Sequence, residues 1–233
     1  VAGKILKFVE DYKKMGVFMI SYALHWIRHG MTQGNLSGRY VGQQDLPVCS
    51  EGFAQMRRMA ERFSYPQVSA VYLSPMLRCR QTADFLYPQT PGKVVEEIAE
   101  MSFGDFEGKL ISEVKELPAF KLWLADARHN APPGGEDGEL FFNRVSAGLQ
   151  AIFTDMMRNG STQAAVVTHG GVMMTLLSAF GYPRRPMTAW PAGNLAGYTV
   201  RTSAQMWMRD RAFEIIGTLP EGFEVEAAQP VPR

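Results

Sequence analysis

Two of the four histidines in this 233-residue chain stand where a ligand-binding or reacting imidazole is useful. His29, in Arg28-His29-Gly30, and His169, in Thr168-His169-Gly170-Gly171, each follow directly on an apolar run with strand character. Both should sit at carboxyl ends of strands, the edge where open parallel sheets bind ligands. The neighbouring glycines let the backbone turn sharply and approach a ligand. A third element is Leu73-Ser74-Pro75-Met76-Leu77-Arg78, which puts Arg78 in the first turn of a helix opening at another strand end. A helix N-terminus with a guanidinium beside it is an anion site. Arg28 and Arg78 together offer two forked cations for one phosphate, the geometry in which Arg outperforms Lys.

The elements that must position these groups follow from periodicity. Tyr22 to Arg28 reads as the first strand, followed by a glycine-rich polar loop and a helix from about Ser50. Val68 to Leu73 is a second strand, and Ser74-Pro75 supplies an N-cap and N1 pair for a helix through Tyr87. Val94 to Ile98 is a weaker strand. Phe103 to Gly138 holds short helices (111–117 and 119–127) and the loop Pro132-Pro133-Gly134-Gly135, the pattern of a lid. A long helix, Glu139 to Arg158, carries Phe142, Val145, Leu149, Phe153 and Met156 inward and stops at Asn159-Gly160. Then come a strand, Ala164 to Thr168, and a helix, Gly170 to Phe180. Leu195 to Arg201 and Gln205 to Ile216 are extended candidates for edge strand and tail. The alternation predicts a layered α/β domain with a largely parallel sheet.

Composition bounds the remaining choices. With 46% hydrophobic and 20% charged residues the chain has enough apolar material for one domain with a sizeable core. A net charge of +1 gives no global field for nucleic acid or an anionic membrane. The longest nearly apolar stretch, Val17 to Ile27, is far short of the roughly 20 residues of a membrane helix. Two cysteines, Cys49 and Cys79, cannot build a disulfide framework, and a reducing cytoplasmic compartment fits. Lys4 to Met15 reads as a short basic amphipathic helix whose Glu10 and Asp11 argue against a signal peptide. Residues 1–18 are read as a peripheral or non-native extension, and 19–233 as one domain with its lid at about 105–138.

The motifs carry a resemblance to the histidine phosphatase superfamily, in its phosphoglycerate-mutase-like branch, from about Tyr22 to Tyr182. The matching stretches are Arg28-His29-Gly30 with Thr32 and Asn35; Gly38-Arg39 with Gly42 and Asp45-Leu46-Pro47; Ser74-Pro75 with Arg78 and Gln81-Thr82-Ala83; Glu100 with Phe103-Gly104 and Glu107-Gly108; Gly134-Gly135-Glu136; and His169-Gly170-Gly171-Val172. The resemblance implies a three-layer, mostly parallel, doubly wound sheet with helices on both faces and a small helical lid. It implies His29 as nucleophile, Glu100 as proton donor, and His169 as a further catalytic group. Arg28, Asn35, Arg78 and Gly170 would bind the phosphate beside them. Met31 and Gly34 depart from the family pattern, and both are expected to loosen the surroundings of the pocket.

Physical chemistry agrees with those roles. Phosphoryl transfer needs positioning and charge stabilisation on the equatorial oxygens, and a neutral imidazole can attack phosphorus and split hydrolysis into two easier steps. Like charges on Arg28 and Arg78 favour the neutral ring. The leaving alkoxide needs a proton from a carboxylic acid; Glu96, Glu97 and Asp105 compete with Glu100 for that part on the residues alone. The expected activity is a metal-independent phosphomonoesterase acting on a small phosphorylated metabolite, with no cofactor, no nucleic-acid or membrane partner, and a homodimer as an admissible assembly. A mutase and a non-catalytic phospho-ligand binder are the alternatives. Family mutases resemble this chain but carry a longer insertion around the lid, and by that resemblance the short stretch between Gly108 and Gly135 favours water reaching the intermediate; the 100–107 segment is similar to that of α-ribazole phosphatases. His25 is read as a packed strand residue, His129 as solvated, and the cysteines and methionines as packing. Trp123 and Phe142 are read as core, or as the wall of a cavity beneath the lid.

Overall fold

A computed structural model of the chain describes residues 20–222; the predicted helix at 4–15 and the 1–18 extension lie outside them. The elements run β1 (Ser21–Arg28), α1 (Gln33–Leu36), α2 (Ser50–Arg62), β2 (Ala70–Leu73), α3 (Leu77–Leu86) and β3 (Gly92–Val94). Short helices α4 (Ile111–Val114) and α5 (Pro118–Ala125) then precede the long α6 (Gly138–Asn159). The chain continues through β4 (Gln163–Thr168), α7 (Gly170–Phe180), β5 (Gly181–Tyr182), β6 (Gly197–Ser203), α8 (Ala204–Asp210) and β7 (Phe213–Leu219).

The strands form one sheet in the order β3-β2-β4-β1-β6-β7-β5. The contacts β3–β2, β2–β4, β4–β1 and β5–β7 are parallel, whereas β6 runs antiparallel to both β1 and β7. The central strands read as apolar runs because both faces are covered. Leu24, Trp26, Tyr72 and Val166 face Val145, Leu149 and Ile152 of α6 and Val172 and Leu176 of α7. Ile27, Val71, Leu73 and Val167 face Cys79 and Ala83 of α3, with α2 packed beside it through Met56 and Met59. The expected α/β architecture with helices on both faces is the observed one.

Register explains why the chemistry converges. Arg28 pairs with Thr168 and Leu73 with Val167, so β1 and β4 end level with one another and β2 one residue short of them. The next residue on each is His29, His169 and Ser74, side by side on the carboxyl edge.

Several local expectations change. Ser74 and Pro75 do not cap α3, which begins at Leu77 after an N-cap residue, Met76, with no side-chain cap; Ser74 is used elsewhere. The strand expected at 94–98 splits into β3 and a 3-10 turn, Glu96–Ile98, because the sheet ends there and the chain turns toward the site. Residues 205–210 are helical rather than extended, since the Ser203 hydroxyl caps α8 by accepting from Met206 N–H. The strand at 197–203 is no edge; it sits between β1 and β7. The stop at Asn159-Gly160 holds, with Gly160 at φ 68° closing α6.

Candidate active site

His29 is buried, and its two ring nitrogens face partners of opposite kind. Nδ1 lies 2.7 Å from the Gly30 carbonyl, which can only accept, and Nε2 lies 3.3 Å from Arg78 Nε, which can only donate. The proton is therefore on Nδ1 and the lone pair on Nε2. Burial, with Arg78 and Arg28 close by, holds the His29 pKa well below the usual imidazole range. The backbone is fixed equally well: His29 N–H donates to Thr168 O, Asn194 Nδ2 donates to His29 O at 2.8 Å, and Gly30 N–H donates to the Thr82 hydroxyl at 2.8 Å.

Arg78 is fully buried on the first turn of α3 and spends its donors in four directions. They go to Gln44 O (2.8 Å), Gly42 O (2.6 Å), His29 Nε2 (3.3 Å) and His169 Nδ1 (3.2 Å). Because a guanidinium only donates, His169 Nδ1 is bare and its Nε2–H donates to Ser74 Oγ at 2.7 Å. The His169 pKa is likewise driven well below the ordinary value, by burial first and by its charged neighbours second. Both nitrogens of His169 are thus engaged, and the ring, 5.1 Å from that of His29, acts as a brace for Arg78. Ser74, expected as a helix cap, is the residue that sets this tautomer.

Arg28 donates from one terminal nitrogen to Ala192 O at 2.7 Å, while its Nε is buried with no hydrogen-bond partner. Gly170 borders that guanidinium: a Cβ there would lie 3.7 Å from Arg28 Cζ. Gly170 also opens α7, so the partial positive charge of a helix N-terminus is directed at the same spot. Among the described residues, no ion pair involves Arg28 or Arg78. Two cations set into a protein without paired carboxylates are costly unless an anion joins them.

Glu100 is buried beside them. Its Oε1 accepts from Met101 N–H at 2.9 Å and its Oε2 from Gly171 N–H at 3.0 Å. Burial raises its pKa, against the opposing pull of those donors and of Arg28 and Arg78. The approach is close enough that a Cβ on Gly171 would fall 2.4 Å from Oε1, so this glycine is required by the acid. Of the competing carboxyls, only Glu100 is buried at this edge.

Asn35 serves first as a local brace. Its Oδ1 accepts from Thr32 N–H (3.1 Å) and from the Thr32 hydroxyl (3.0 Å) in a capping box that starts α1. Its amide nitrogen is the group left for a ligand. Gly34 does not loosen its surroundings: a Cβ there would meet Val41 Cγ2 at 2.4 Å, so the loop closes onto the glycine. Met31 offers its carbonyl to Cys49 N–H at 3.0 Å.

Sequence reasoning gave no role to the clamps. Glu107 accepts from the N–H groups of Gln43 (2.8 Å), Gln44 (2.7 Å) and Phe103 (3.2 Å), fixing the loop whose carbonyls hold Arg78. Arg144 of α6 donates to Glu97 O and Ala99 O, both at 2.9 Å, and to Glu100 O at 3.3 Å. It also pairs at 2.5 Å with Glu136, whose carboxylate accepts from Ser102 N–H at 2.9 Å. An arginine on an amphipathic helix carries no sequence signal for this task. His25 is packed as expected, between Thr199 Oγ1 (3.0 Å) and Gln163 Oε1 (2.8 Å), and His129 is exposed beside Asp126. Cys79 is buried with its thiol pKa pushed up to about 12, which suits packing rather than nucleophilic work. On the Glu100 side a cavity of about 600 Å³ opens beneath the 105–138 segment, and both Trp123 and Phe142 line it.

Comparison with known proteins places this geometry in context. The family model "Histidine phosphatase superfamily (branch 1)" matches residues 24–212. An adenosylcobalamin/alpha-ribazole phosphatase of Escherichia coli is 28% identical over 166 residues, covering 69% of this chain and 80% of its own. Phosphoserine phosphatase 1 of Hydrogenobacter thermophilus is 27% identical over 157 residues, covering 66% and 73%. The crystal structure of the alpha-ribazole phosphatase from Shigella flexneri superposes with a TM-score of 0.66 at 23% identity, over 83% of this chain and 94% of that one, a likeness of fold.

Proposed function

The chain belongs to the histidine phosphatase superfamily, and from that premise we propose that it is a metal-independent phosphomonoesterase that hydrolyses a small phosphorylated metabolite through a phosphohistidine on His29. The observation that carries this reading is the pair of arginines without counter-ions beside a bare imidazole nitrogen. With Glu100 protonated, Arg28 and Arg78 present two positive charges, the complement of a phosphate monoester dianion.

In this reading the phosphoryl oxygens bind Arg28 Nε, the Arg78 guanidinium, the Asn35 amide and the Gly170 N–H. They take over the donor that Arg78 directs at His29, which frees Nε2 for in-line attack on phosphorus. The P–O bond to the leaving group breaks as the P–N bond forms, and Glu100 gives its proton to the departing alkoxide. The resulting carboxylate then takes a proton from water as that water attacks the phosphohistidine, which releases phosphate and restores Glu100 and the neutral ring. His169 holds Arg78 in place throughout. The 105–138 segment serves as the lid of a single domain, and two free cysteines are in keeping with a reducing cytoplasm.

The test is phosphate release from p-nitrophenyl phosphate and a panel of metabolite monoesters in EDTA, with rapid quench of a ³²P-labelled substrate. An acid-labile, alkali-stable label on His29 that turns over to phosphate is expected. Label absent during turnover, or 3-phosphoglycerate isomerised with no phosphate released, would overturn the reading.

A further inference from the structure

The groups assigned to the phosphate are polar, whereas the space next to them is largely apolar. The cavity of about 600 Å³ touches the phosphate pocket only through Glu100 and Gly171, and its walls are largely apolar: Phe103, Trp123, Phe141, Phe142 and Met187 among them. Since Glu100 is the group assigned to the leaving oxygen, whatever leaves must occupy this cavity. A volume of this size is that of a site for a multi-ring ligand, and a three-carbon alcohol would fill only a fraction of it.

Charge points the same way. Among the described residues the walls contain one cation, Arg128, and it is exposed and already lies 3.7 Å from Glu139, another wall residue. Glu139 is approached at 3.8 Å by His129 as well. At the inner end the polar group is the Glu100 carboxyl itself. A second carboxylate, phosphate or pyrophosphate on the leaving group would find no unshared positive partner among the described wall residues. Its desolvation would go uncompensated. Thr175 and Ser178 of α7 supply hydroxyls for an isolated polar substituent.

We propose that the aromatic cavity is a leaving-group site for a bulky, uncharged, largely apolar alcohol carrying a ring system, so that the substrates are monophosphates of such alcohols rather than phosphorylated amino or hydroxy acids. This rests on the phosphomonoesterase reading and narrows it. The Phe103 and Trp123 rings stand edge to face, 6.0 Å apart, leaving wall surface suited to a flat ring. Ring burial should favour the transition state over that of a short alcohol wherever the two phosphates share the same primary-alkyl leaving group.

The experiment compares kcat/KM of the full chain for four alkyl monoesters of similar leaving-group type: 2-(1-naphthyl)ethyl phosphate, ethyl phosphate, phosphoserine and 3-phosphoglycerate. The naphthylethyl ester should exceed each of the others by on the order of 100-fold. In Ala179→Trp, which projects an indole from α7 into the cavity, the ratio of naphthylethyl to ethyl should contract by about tenfold or more. Equal rates for the naphthylethyl and ethyl esters, or a preference for phosphoserine or 3-phosphoglycerate, would overturn the assignment of the cavity while leaving the phosphatase intact. Release from none of the four, nor from p-nitrophenyl phosphate, would instead overturn the phosphomonoesterase reading.

Discussion

The nucleophile and the acid of the candidate site are held by different means. His29, His169 and Ser74 are first residues past three strands that end within one residue of each other, so ladder hydrogen bonds and two packed sheet faces fix their positions. Glu100 belongs to a stretch with no such frame. The segment from Glu96 to Gly138 contains 3-10 turns, two short helices and Gly104 and Gly134 at φ 50° and 70°, and it is tied down by side chains, chiefly Arg144, Glu136 and Glu107. Regular backbone places the groups that must not move. Irregular backbone places the proposed acid and the cavity wall, and it reaches the proposed phosphate pocket through Glu107, which holds the loop that binds Arg78.

Substitutions on the sheet edge should be the most severe. His29→Asn is expected to lower kcat by about 10⁴-fold or more on aryl and alkyl phosphates alike, with a circular dichroism spectrum like that of the parent. Retained labelling or turnover would break the division of labour. Arg78→Ala should cost about 10³-fold in kcat/KM and Arg78→Lys should recover little of it, because one ammonium cannot serve Gly42 O, Gln44 O and both imidazoles.

On the irregular side the effect should depend on the leaving group. Arg144→Met removes three carbonyl contacts and the Glu136 pair, and should slow alkyl phosphates by roughly 10- to 100-fold while aryl phosphates, which leave without a proton, change little. An equal loss on both would mean that Arg144 supports the whole site and not the acid. The pH profile gives a second readout. With the Glu100 pKa raised, kcat/KM for an alkyl phosphate should fall as pH rises through that shifted value, and Glu100→Gln should remove this limb.

The smallest effect concerns stability. The unfolded chain protonates its imidazoles near 6.5, whereas folded His29 and His169 stay neutral to much lower pH, so the unfolded state binds more protons below that value. Glu100, with a raised folded pKa, has the opposite sign and offsets part of this in the region above 4.5. With His25, also lowered by burial, three imidazoles stand against one carboxyl: Tm should drop by a few degrees between pH 7 and pH 5.5, and less in His169→Asn. A Tm that rises on acidification would show that the carboxyl dominates.

The same contrast decides what could be read beforehand. Strand-end histidines flanked by glycine, and an arginine one turn into a helix, are short-range signals, and the sheet delivered them together. Helix α7 was legible to the residue, since Gly170 to Phe180 is bounded by turn residues at both ends. Glu100 could be singled out from Glu96, Glu97 and Asp105 only by resemblance, because its distinction is tertiary: burial against Gly171 and proximity to two arginines. Arg144 was illegible for the same reason, as its partners are backbone carbonyls more than 40 positions away. Ser74 was misread because a serine before proline at a strand end looks like a cap, while here the helix starts later and the hydroxyl belongs to His169.

The contact between Arg78 Nε and His29 Nε2 bears on how such a protein survives in a cell. An unprotonated nitrogen proposed as a nucleophile is also a target for aldehydes, alkylating agents and other stray electrophiles. That lone pair is covered by the Arg78 donor, for which an incoming anion competes, so in the proposed reaction the ligand that is to react is the one that uncovers the reactive atom. A neutral electrophile brings no charge with which to displace it, so this covered imidazole of lowered basicity should react slowly with alkylating agents.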